Sequence, residues 1–487
     1  MRLLVALLSV AIAACSQAPV LKLPDVPVAA EFKERGTAAG ELPREAWWTL
    51  FNDAELDRLQ RQLIARSPDL AAALARYQQS KAATDLVRAS QLPSLGASLN
   101  VQRDRQSEQR PLRVLGPKSP DNYESNTLGV QLDYELDLWG RVRSQVAASV
   151  ALDQAAQADL AAARLLLQAQ LADSYIALRG LDREALLLRN TETAYGRALD
   201  LINRRHQGGI ASGLDVARAE AQIAATRSQM RPSMAQRALL EHAIAAVVGE
   251  AASDFNLAPQ TSEITLPAIP AGVPSALLQR RPDIAAAERR VAASNASVGV
   301  AQAAFFPAVT LSALAGFQTG DIGSFIRAPN LFWAVGPTLA LSLFDGVRRD
   351  AEAARVKAVL DESGEKYRSV VIGAFQQVED NLALLDHYGA AAESERAAVK
   401  AAQRSLDIAS ARYREGAANY LEVVSSQTAT LQAQRSALDL GNRQRRAAVQ
   451  LVRALGGGWG AGSGATAASV AVRTSNVEVH SCCYQVH

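Results

Sequence analysis

The sequence has few cysteines, few aromatic residues and little net charge. Its 487 residues include 3 cysteines, and aromatic residues make up 5% of the chain. Cys482 and Cys483 are adjacent and lie far from Cys15, so neither a disulfide framework nor a CxxC metal site is indicated, and no cofactor is expected. The formal charge of +2 gives no reason to expect nucleic acid binding.

The motifs of common enzyme classes are absent as well. The sequence contains no Walker loop, no HExxH and no GxSxG. His206, His242 and His387 occur singly in helical or tip segments, where packing explains them, so an enzyme is not expected. Beyond the N-terminus no apolar run reaches the roughly 20 residues of a membrane-spanning helix. Any crossing of a membrane would therefore have to use β-strands.

The first residues have the pattern of a secretory signal. Arg2 precedes the apolar run 3–13, and small residues precede Cys15. This arrangement resembles a bacterial lipobox, which predicts a signal peptide at 1–14 and acylation of Cys15 after cleavage. Ser16 follows the cysteine, as in lipoproteins sent to the outer membrane. An ordinary signal peptide with an incidental cysteine is the alternative.

Four segments alternate between apolar and polar residues with a period of two. They are about 94–102, 127–138, 308–318 and 333–344. In 127–138 the apolar residues from Leu128 to Leu138 alternate with Gly, Gln and acidic residues, a pattern typical of a half-buried strand. In a membrane barrel the apolar face meets lipid and the polar face meets the lumen. A soluble sandwich is the alternative, but no second sheet is predicted to pack on these strands.

Very long helices are predicted after each hairpin. Residues 141–207 contain no proline, and one helix of this length would extend about 100 Å. Eleven positions from Leu167 to Ile202 follow alternating spacings of four and three residues, and nine are apolar, which is typical of a coiled-coil seam. The seam recurs 207 residues later, from Ala374 to Ala409. Pro232 is expected to kink or break the helix that returns.

One internal duplication explains these recurrences. Pro282 repeats Pro68 at an offset of 214, and Gly346 repeats Gly140 at an offset of 206. The predicted organisation is a signal peptide (1–14), a lipid anchor with an extended spacer (15–45), a first repeat (46–248), a linker (249–280), a second repeat (281–460) and a disordered tail (461–487).

Each repeat contains a tip at which a long helix turns back. The first tip (208–214) lies within RHQGGIASGLDV and the second (415–421) within RYREGAANYLEV. Gly209, Gly213 and Gly416 are expected to form the turns. Asp215 and Glu422 follow the turns, where a carboxylate also stabilises a helix N-terminus. We predict that the two tips together form the working end of the protein.

Four strands in one chain leave two open sheet edges, which a bilayer does not tolerate. Closed symmetry with three copies would give a 12-stranded membrane β-barrel, continued by a 12-helix tunnel. The predicted fold class is therefore a mixed membrane β-barrel plus long α-helical barrel, built by a homotrimer of duplicated helix–β-hairpin–helix halves. Such a tube is open at the lipid end and is closed or opened by the tips at the other end.

Taken in order, these features resemble the outer membrane efflux lipoproteins of the OprM/NodT family and, more distantly, TolC. The resemblance covers about residues 15–460 and includes LDLWG at 136–140, LFDG at 343–346, the second tip and LGGGW at 455–459. It implies an outer membrane exit duct without chemistry of its own, loaded by a periplasmic adaptor and an inner-membrane transporter of the RND type. A TolC-like duct for type I protein secretion and a non-transporting trimeric coiled-coil scaffold are the alternatives.

The resemblance also implies roles for residues of the tips. In the family an aspartate at the position of Asp215 pairs with the second tip, including a tyrosine at the position of Tyr413, and holds the closed state. Glu422 occupies the position of a pore-facing carboxylate, whereas Ser425 and Ala418 replace charged residues found in family members. We therefore expect fewer ionic contacts in the closed tip than the family pattern has, and more ion leak when Asp215 or Tyr413 is removed.

Overall fold

The computed structural model describes residues 19–27, 29, 31–34, 43, 46–105, 107, 122–270, 272 and 274–459. Cys15, Cys482 and Cys483 lie outside this part of the chain, as do the predicted signal peptide and tail. No helix in the described ranges combines the length and apolarity needed to cross a bilayer.

Long helices and one four-stranded sheet make up the described chain. The helices are α1 (Ala54–Arg66), α2 (Pro68–Ala89), α3 (Arg141–Gln207), α4 (Gly213–Val248), α5 (Leu277–Arg280), α6 (Pro282–Ala303), α7 (Arg348–Arg414) and α8 (Tyr420–Ala454). The strands are β1 (Ser94–Arg105), β2 (Asn122–Glu135), β3 (Ala308–Thr319) and β4 (Leu331–Ala340). Short 3₁₀ helices cover Trp47–Phe51, Pro274–Ala276, Ile322–Ser324 and Ala328–Asn330.

The sheet is antiparallel and its strands lie in chain order, β1-β2-β3-β4. Leu95 lies opposite Leu132, which lies opposite Ala313. A second row crosses the same strands at Ser94, Asp133 and Ser312, where the Ser312 hydroxyl donates to the Asp133 carboxylate at 2.7 Å. Because residues opposite one another share a face, the register collects most of the apolar residues of the four strands on one face, whereas Leu314 and Phe332 lie on the other face, opposite Gln131 and Gly316. The predicted apolar and polar faces are confirmed.

The observed ends of the strands differ from the ends predicted from the alternating segments. β2 ends at Glu135 because the Asp137 carboxylate turns back and accepts the N–H groups of Val142 and Arg143 at 3.0 and 2.8 Å, at the start of α3. β4 ends at Ala340 rather than 344 because its partner β3 begins at 308. The other ends extend the predictions: β2 begins at 122, β4 begins at 331, β1 reaches 105 and β3 reaches 319.

The two longest helices are equal in length and begin 207 residues apart. α3 and α7 each contain 67 residues, and all positions of both predicted seams are buried or half-buried. The left-handed residue before α3 is Gly140, with φ 76°, and the one before α7 is Val347, with φ 67°. Val347 is therefore the structural counterpart of Gly140, which corrects the predicted match between Gly140 and Gly346.

α4 runs unbroken from Gly213 to Val248 with Pro232 inside it. The prediction of a break was wrong. Pro232 lies on the exposed side of α4, so the carbonyl that loses its N–H donor one turn earlier faces solvent. The neighbouring Ser233 donates to Glu184 of α3 at 2.6 Å and holds this stretch against its partner helix.

The linker is held to the helices by buried charges. Asp182 is 2% exposed and accepts from Arg179 at 2.8 Å and from Arg237 at 2.7 Å. Arg179 also donates to the carbonyl of Ala258 at 2.8 Å, and Arg237 donates to that of Leu257 at 2.5 Å. Since a buried charge is tolerated only when paired and hydrogen bonded, this network fixes the path of the linker across α3 and α4.

The segment before the first helix lies against α6 and α7. Asn295 of α6 donates to the carbonyl of Pro19 at 2.7 Å, and Pro24 contacts Gly364 of α7. Further along, the Glu379 carboxylate accepts the N–H groups of residues 33 and 34 at 2.7 and 3.0 Å. The described residues 19–34 of the predicted extended spacer form no helix or strand and lie along these helices.

Candidate functional site at the helical tips

The two tips are built by the same backbone turn. The first tip, Gly208–Ser212, joins α3 to α4, and the second, Glu415–Asn419, joins α7 to α8. Gly209 and Gly416 adopt φ of 73° and 78°, which favours glycine at both positions. Gly213, by contrast, is the first residue of α4 and does not have a left-handed φ. Of the three glycines predicted to form the turns, two adopt the left-handed backbone conformation that favours glycine.

The acidic residues of the tips stabilise the starts of the returning helices. Asp215 completes a capping box: its N–H donates to the Ser212 hydroxyl at 3.2 Å, and its carboxylate accepts from the Ser212 N–H at 3.3 Å. Asn419 caps α8 by accepting the Glu422 N–H at 3.1 Å. The Glu422 carboxylate lies 3.3 Å from Arg412, so its main charge partner belongs to α7.

Arg205 of the first tip region connects the two tips. Its guanidinium donates to the carbonyls of Tyr413 and Arg414 at 2.9 and 2.7 Å. These carbonyls belong to the last turn of α7, where helix carbonyls lack intrahelical donors. The same guanidinium lies 4.9 Å from the centre of the Tyr413 ring, within the range of a cation–π interaction. One arginine thus satisfies the end of α7 and contacts its last aromatic side chain.

An aromatic cluster lies beneath this contact. Tyr420 is 3% exposed, and its ring centre lies 5.4 Å from that of Tyr413. Burial raises the pKa of Tyr420 to about 12, and the neighbouring Tyr413, Tyr195 and Asp215 add to the rise. The helices on either side of both tips contribute to the apolar core around this ring: Ile202 of α3, Ala219 of α4, Ala409 of α7 and Val423 of α8.

An open groove of about 670 Å³ runs beside the second tip between α7 and α8. Its lining is mixed: Arg404, Arg412, Asn419, Glu422, Ser425, Ile408 and Leu421. Ile408 and Leu421 are exposed there. Across the described ranges no group of three or more His, Cys, Asp or Glu side chains could hold a metal ion. The groove is thus a polar surface feature with both signs of charge.

The structure brings the predicted tip residues together but pairs them differently. The Asp215 carboxylate bonds within the first tip and lies 3.8 Å from Arg218, because its capping box turns it towards Ser212. Tyr413 is contacted by Arg205 and Tyr420, so the predicted Asp215–Tyr413 pair is not among the described contacts. Arg205 was not among the predicted tip residues; its position one turn before the first glycine places it in the last turn of α3 but does not indicate its partners on α7.

Comparison with known proteins follows the same division of the chain. The family model described as outer membrane efflux protein matches residues 59–250 and 273–457. The outer membrane protein OprJ of Pseudomonas aeruginosa is 31% identical over 464 residues, which covers 94% of this chain and 95% of OprJ. The pyoverdine export outer membrane protein OpmQ of the same species is 32% identical over 422 residues, covering 85% of this chain and 87% of OpmQ.

The fold agrees with these matches. The solved structure of the outer-membrane channel OprN has a TM-score of 0.82 with 31% identity, and the match covers 91% of this chain and all 100% of that one. The resemblance stated from the sequence motifs is confirmed. Since the family model alone matches well over half of the residues, the chain belongs to the outer membrane efflux protein family.

Proposed function

We propose that this protein is the outer membrane exit duct of a tripartite efflux pump and passively conducts small toxic molecules to the cell exterior. One observation carries the proposal: a sheet with one predominantly apolar face is joined directly to two helices of 67 residues, each about 100 Å long. A duct needs a part that fits lipid and a part long enough to reach across the periplasm. The fold supplies both in one chain.

The duct is closed by three copies. Within the described residues of one chain, the outer edges of β1 and β4 have no strand partner, and unpaired backbone groups are costly in lipid. Three copies would complete a cylinder of twelve strands, with the apolar face towards lipid and the polar face towards the lumen. The helices continue this cylinder, and the tips lie at its far end.

The tips meet the rest of the pump. An adaptor in the periplasm and an inner-membrane transporter of the RND type load the duct, which hydrolyses nothing and catalyses nothing itself. The tips control its opening: Arg205 holds the ends of α3 and α7 together, while Asp215 and Glu422 stabilise the turns and contribute negative charge around the axis. Because Ser425 is uncharged, the negative charge around the axis is weaker than it would be with a carboxylate at this position.

Acylation of Cys15 anchors the duct to the membrane. Cys15 precedes Pro19 by four residues, a span of at most about 14 Å. The Pro19 carbonyl is held by Asn295, which lies eight residues, or about 12 Å, before the end of α6. Cys15 can therefore reach the level at which α6 gives way to β3, where the lipid-facing strands begin. Radioactive palmitate should label the wild type and should not label Cys15→Ser.

Deletion of the gene tests the transport function. The deletion strain should become sensitive to some members of a panel of antibiotics, dyes, solvents and metal ions, and should accumulate a fluorescent dye. The wild-type gene should restore both. Purified protein should form ion-conducting pores in planar bilayers. A strain with unchanged sensitivity and dye content, together with protein that conducts no ions, would refute the proposal.

Two other functions make different predictions in these assays. A duct for type I protein secretion should leave drug sensitivity unchanged on deletion and remove a protein from the culture medium. A coiled-coil scaffold should conduct no ions in bilayers. The alternating strands argue against the scaffold, because a scaffold made only of helices has no need of a sheet with one apolar face.

A further inference from the structure

The polar face of the sheet contains a small apolar patch. Phe332 of β4 lies opposite Gly316 of β3, which in turn lies opposite Gly129 of β2. Leu314 lies on the same face in the next row, opposite Gln131. In the proposed duct this face lines the lumen, so the two apolar side chains of the patch would face water and passing solutes rather than lipid.

Two opposed glycines shape the patch. A Cβ on Gly316 would lie 3.0 Å from Cζ of the Phe332 ring, and a Cβ on Gly129 would lie 3.9 Å from the same atom. Because neighbouring strands are about 4.8 Å apart, a ring on β4 can approach β2 only by lying along the sheet across β3. Cδ1 of Leu314 lies 3.6 Å from the Cβ position of Gly129 and meets the ring there. The glycines therefore let both side chains form one shallow apolar surface.

This surface is open and stands out from its surroundings. Leu314 is 37% exposed, and Phe332 is half-buried although it lies against two glycines. Apart from Tyr123 near one end, the rest of this face in the four strands consists of small, polar or acidic residues. A single exposed apolar side chain needs no explanation, but two adjacent ones on a polar face indicate a contact surface.

An oriented carboxylate lies beside the patch. Asp133 accepts from the Ser312 hydroxyl and from the Gln131 side-chain amide, both at 2.7 Å. Gln131 belongs to the row between Asp133 and the glycines, so this hydrogen bond directs one carboxylate oxygen towards the patch. Each carboxylate oxygen has two lone pairs and uses one of them here, so Asp133 can still accept from a further group.

The charges on this face have one sign. Within the four strands it carries Asp104, Asp133 and Glu135 and neither lysine nor arginine. Glu135 is paired with Arg141 at 2.5 Å, whereas Asp133 forms no ion pair with any residue that the structure describes. A ligand that meets Asp133 should therefore be positively charged.

We propose that Phe332, Leu314 and Asp133 form a binding site for amphiphilic organic cations on the wall of the lumen. This inference rests on the proposed duct, which places the polar face of the sheet inside. The apolar part of the ligand packs on Phe332 and Leu314, and its positive charge lies between the ring face and the Asp133 carboxylate. Asp133 and Gly129 are four residues apart on β2, or about 13 Å, so the ligand must be a molecule of several rings.

The openness of the site suits a duct. Its apolar part is a surface rather than a pocket, and its carboxylate is already hydrogen bonded on both oxygens. A conducted molecule must be able to leave each site that it occupies, so binding has to be weak. The site would hold an amphiphilic cation briefly at the wall and release it towards the exit.

Protection of an introduced cysteine tests the site in the full chain. In a Cys482→Ser/Cys483→Ser background, Ser98→Cys places a thiol opposite Gly129, beside the patch. Tetraphenylphosphonium should slow the reaction of this thiol with a neutral methanethiosulfonate in purified protein, followed on the peptide that contains residue 98 by mass spectrometry. Tetraphenylborate has the same shape and the opposite charge. At equal free concentration it should protect at least tenfold less.

Two variants remove the two parts of the site. Phe332→Ala removes the ring, and Asp133→Asn removes the charge but keeps the size. Each should raise the tetraphenylphosphonium concentration that gives half-maximal protection at least about fivefold. Trp333→Ala is the matched control, because it removes the aromatic side chain next to Phe332 on β4 from the opposite face. Its protection should equal that of the parent protein.

Equal protection by the two ions would overturn the site, and so would equal loss of protection in Trp333→Ala and Phe332→Ala. Unchanged protection in both Phe332→Ala and Asp133→Asn would overturn it as well. Light scattering verifies the assembly of each variant, and Leu314→Gln provides the same test if Phe332→Ala does not assemble. Ion conductance of the same proteins in planar bilayers separates these outcomes from failure of the proposed function. A duct without the site conducts ions but gives no protection, whereas a protein that is not a duct conducts none.

Discussion

Replacing Arg205 by alanine should loosen the connection between the two tips. The change removes two hydrogen bonds from the guanidinium to the carbonyls of residues 413 and 414, at 2.9 and 2.7 Å. A buried hydrogen bond from a charged group contributes about 1.5–3 kcal/mol to stability. Because the Arg205 side chain is only half-buried, we assign about 1 kcal/mol to each of its two hydrogen bonds. The cation–π contact with Tyr413 adds about 0.5–1 kcal/mol. The expected local loss is about 2–3 kcal/mol.

A loss of this size makes separation of the tips at least about 30-fold more frequent, because each 1.4 kcal/mol corresponds to a factor of ten. Hydrogen exchange should report it directly. The Ala417 N–H, which donates to the Arg412 carbonyl at 2.8 Å, should exchange faster by that factor, while amides of the sheet should not change. Purified Arg205→Ala should also leak more ions in planar bilayers than the wild type.

Arg204 offers a matched control on the same turn of α3. Its side chain is exposed and makes no hydrogen bond or ion pair within the described chain, so Arg204→Ala removes one positive charge and leaves the tips connected. Arg205→Lys keeps the charge but cannot donate to two carbonyls in a fixed geometry, and it should give intermediate exchange rates. Equal exchange and equal conductance in Arg204→Ala and Arg205→Ala would refute the reasoning.

Three further changes test the packing and the tip. Gly456→Ala should lower the unfolding free energy by at least about 3 kcal/mol, because a Cβ at this φ of 90° would lie 1.9 Å from the Arg280 carbonyl oxygen. Gly209→Ala, with open space around its φ of 73°, should cost only about 1–2 kcal/mol; denaturant unfolding in detergent compares the two variants, and equal losses would contradict the steric argument. Val347→Gly should raise the melting temperature slightly, because it relieves about 1–2 kcal/mol of backbone strain at φ 67°, which exceeds the cost of the added conformational entropy of glycine in the unfolded chain. Val347→Ala keeps the strain and should not raise the melting temperature. The folded-state pKa of Tyr420 is raised to about 12, so the contribution of its protonated hydroxyl to the free energy of unfolding should be fully present below pH 10. The free energy of unfolding should then fall by on the order of 2 kcal/mol as the pH rises from 10 to 12. Tyr420→Phe should remove this part of the fall, and a variant with the same pH profile as the wild type would show that the ring does not titrate as described.

Local patterns along the chain predicted most of the architecture. A strand with one buried face must alternate with a period of two, and a helix packed along a seam must repeat every three or four residues. These periods locate four strands and two long helices without any knowledge of what lies beside them. Because of the duplication, each pattern occurs twice in the chain. The weaker seam from Ala374 to Ala409 could therefore be recognised by its correspondence to the stronger seam from Leu167 to Ile202.

The ends of the elements and the contacts between the tips could not be obtained in this way. β2 ends where Asp137 turns to cap α3, and α4 continues through Pro232 because that side faces solvent. Arg205 and Tyr413 are 208 residues apart, and nothing in the local pattern of either predicts that a guanidinium meets a helix carbonyl there. Periodicity reports which face of an element is buried. Which atoms meet across that face depends on how distant segments pack, and the packing belongs to the three-dimensional fold.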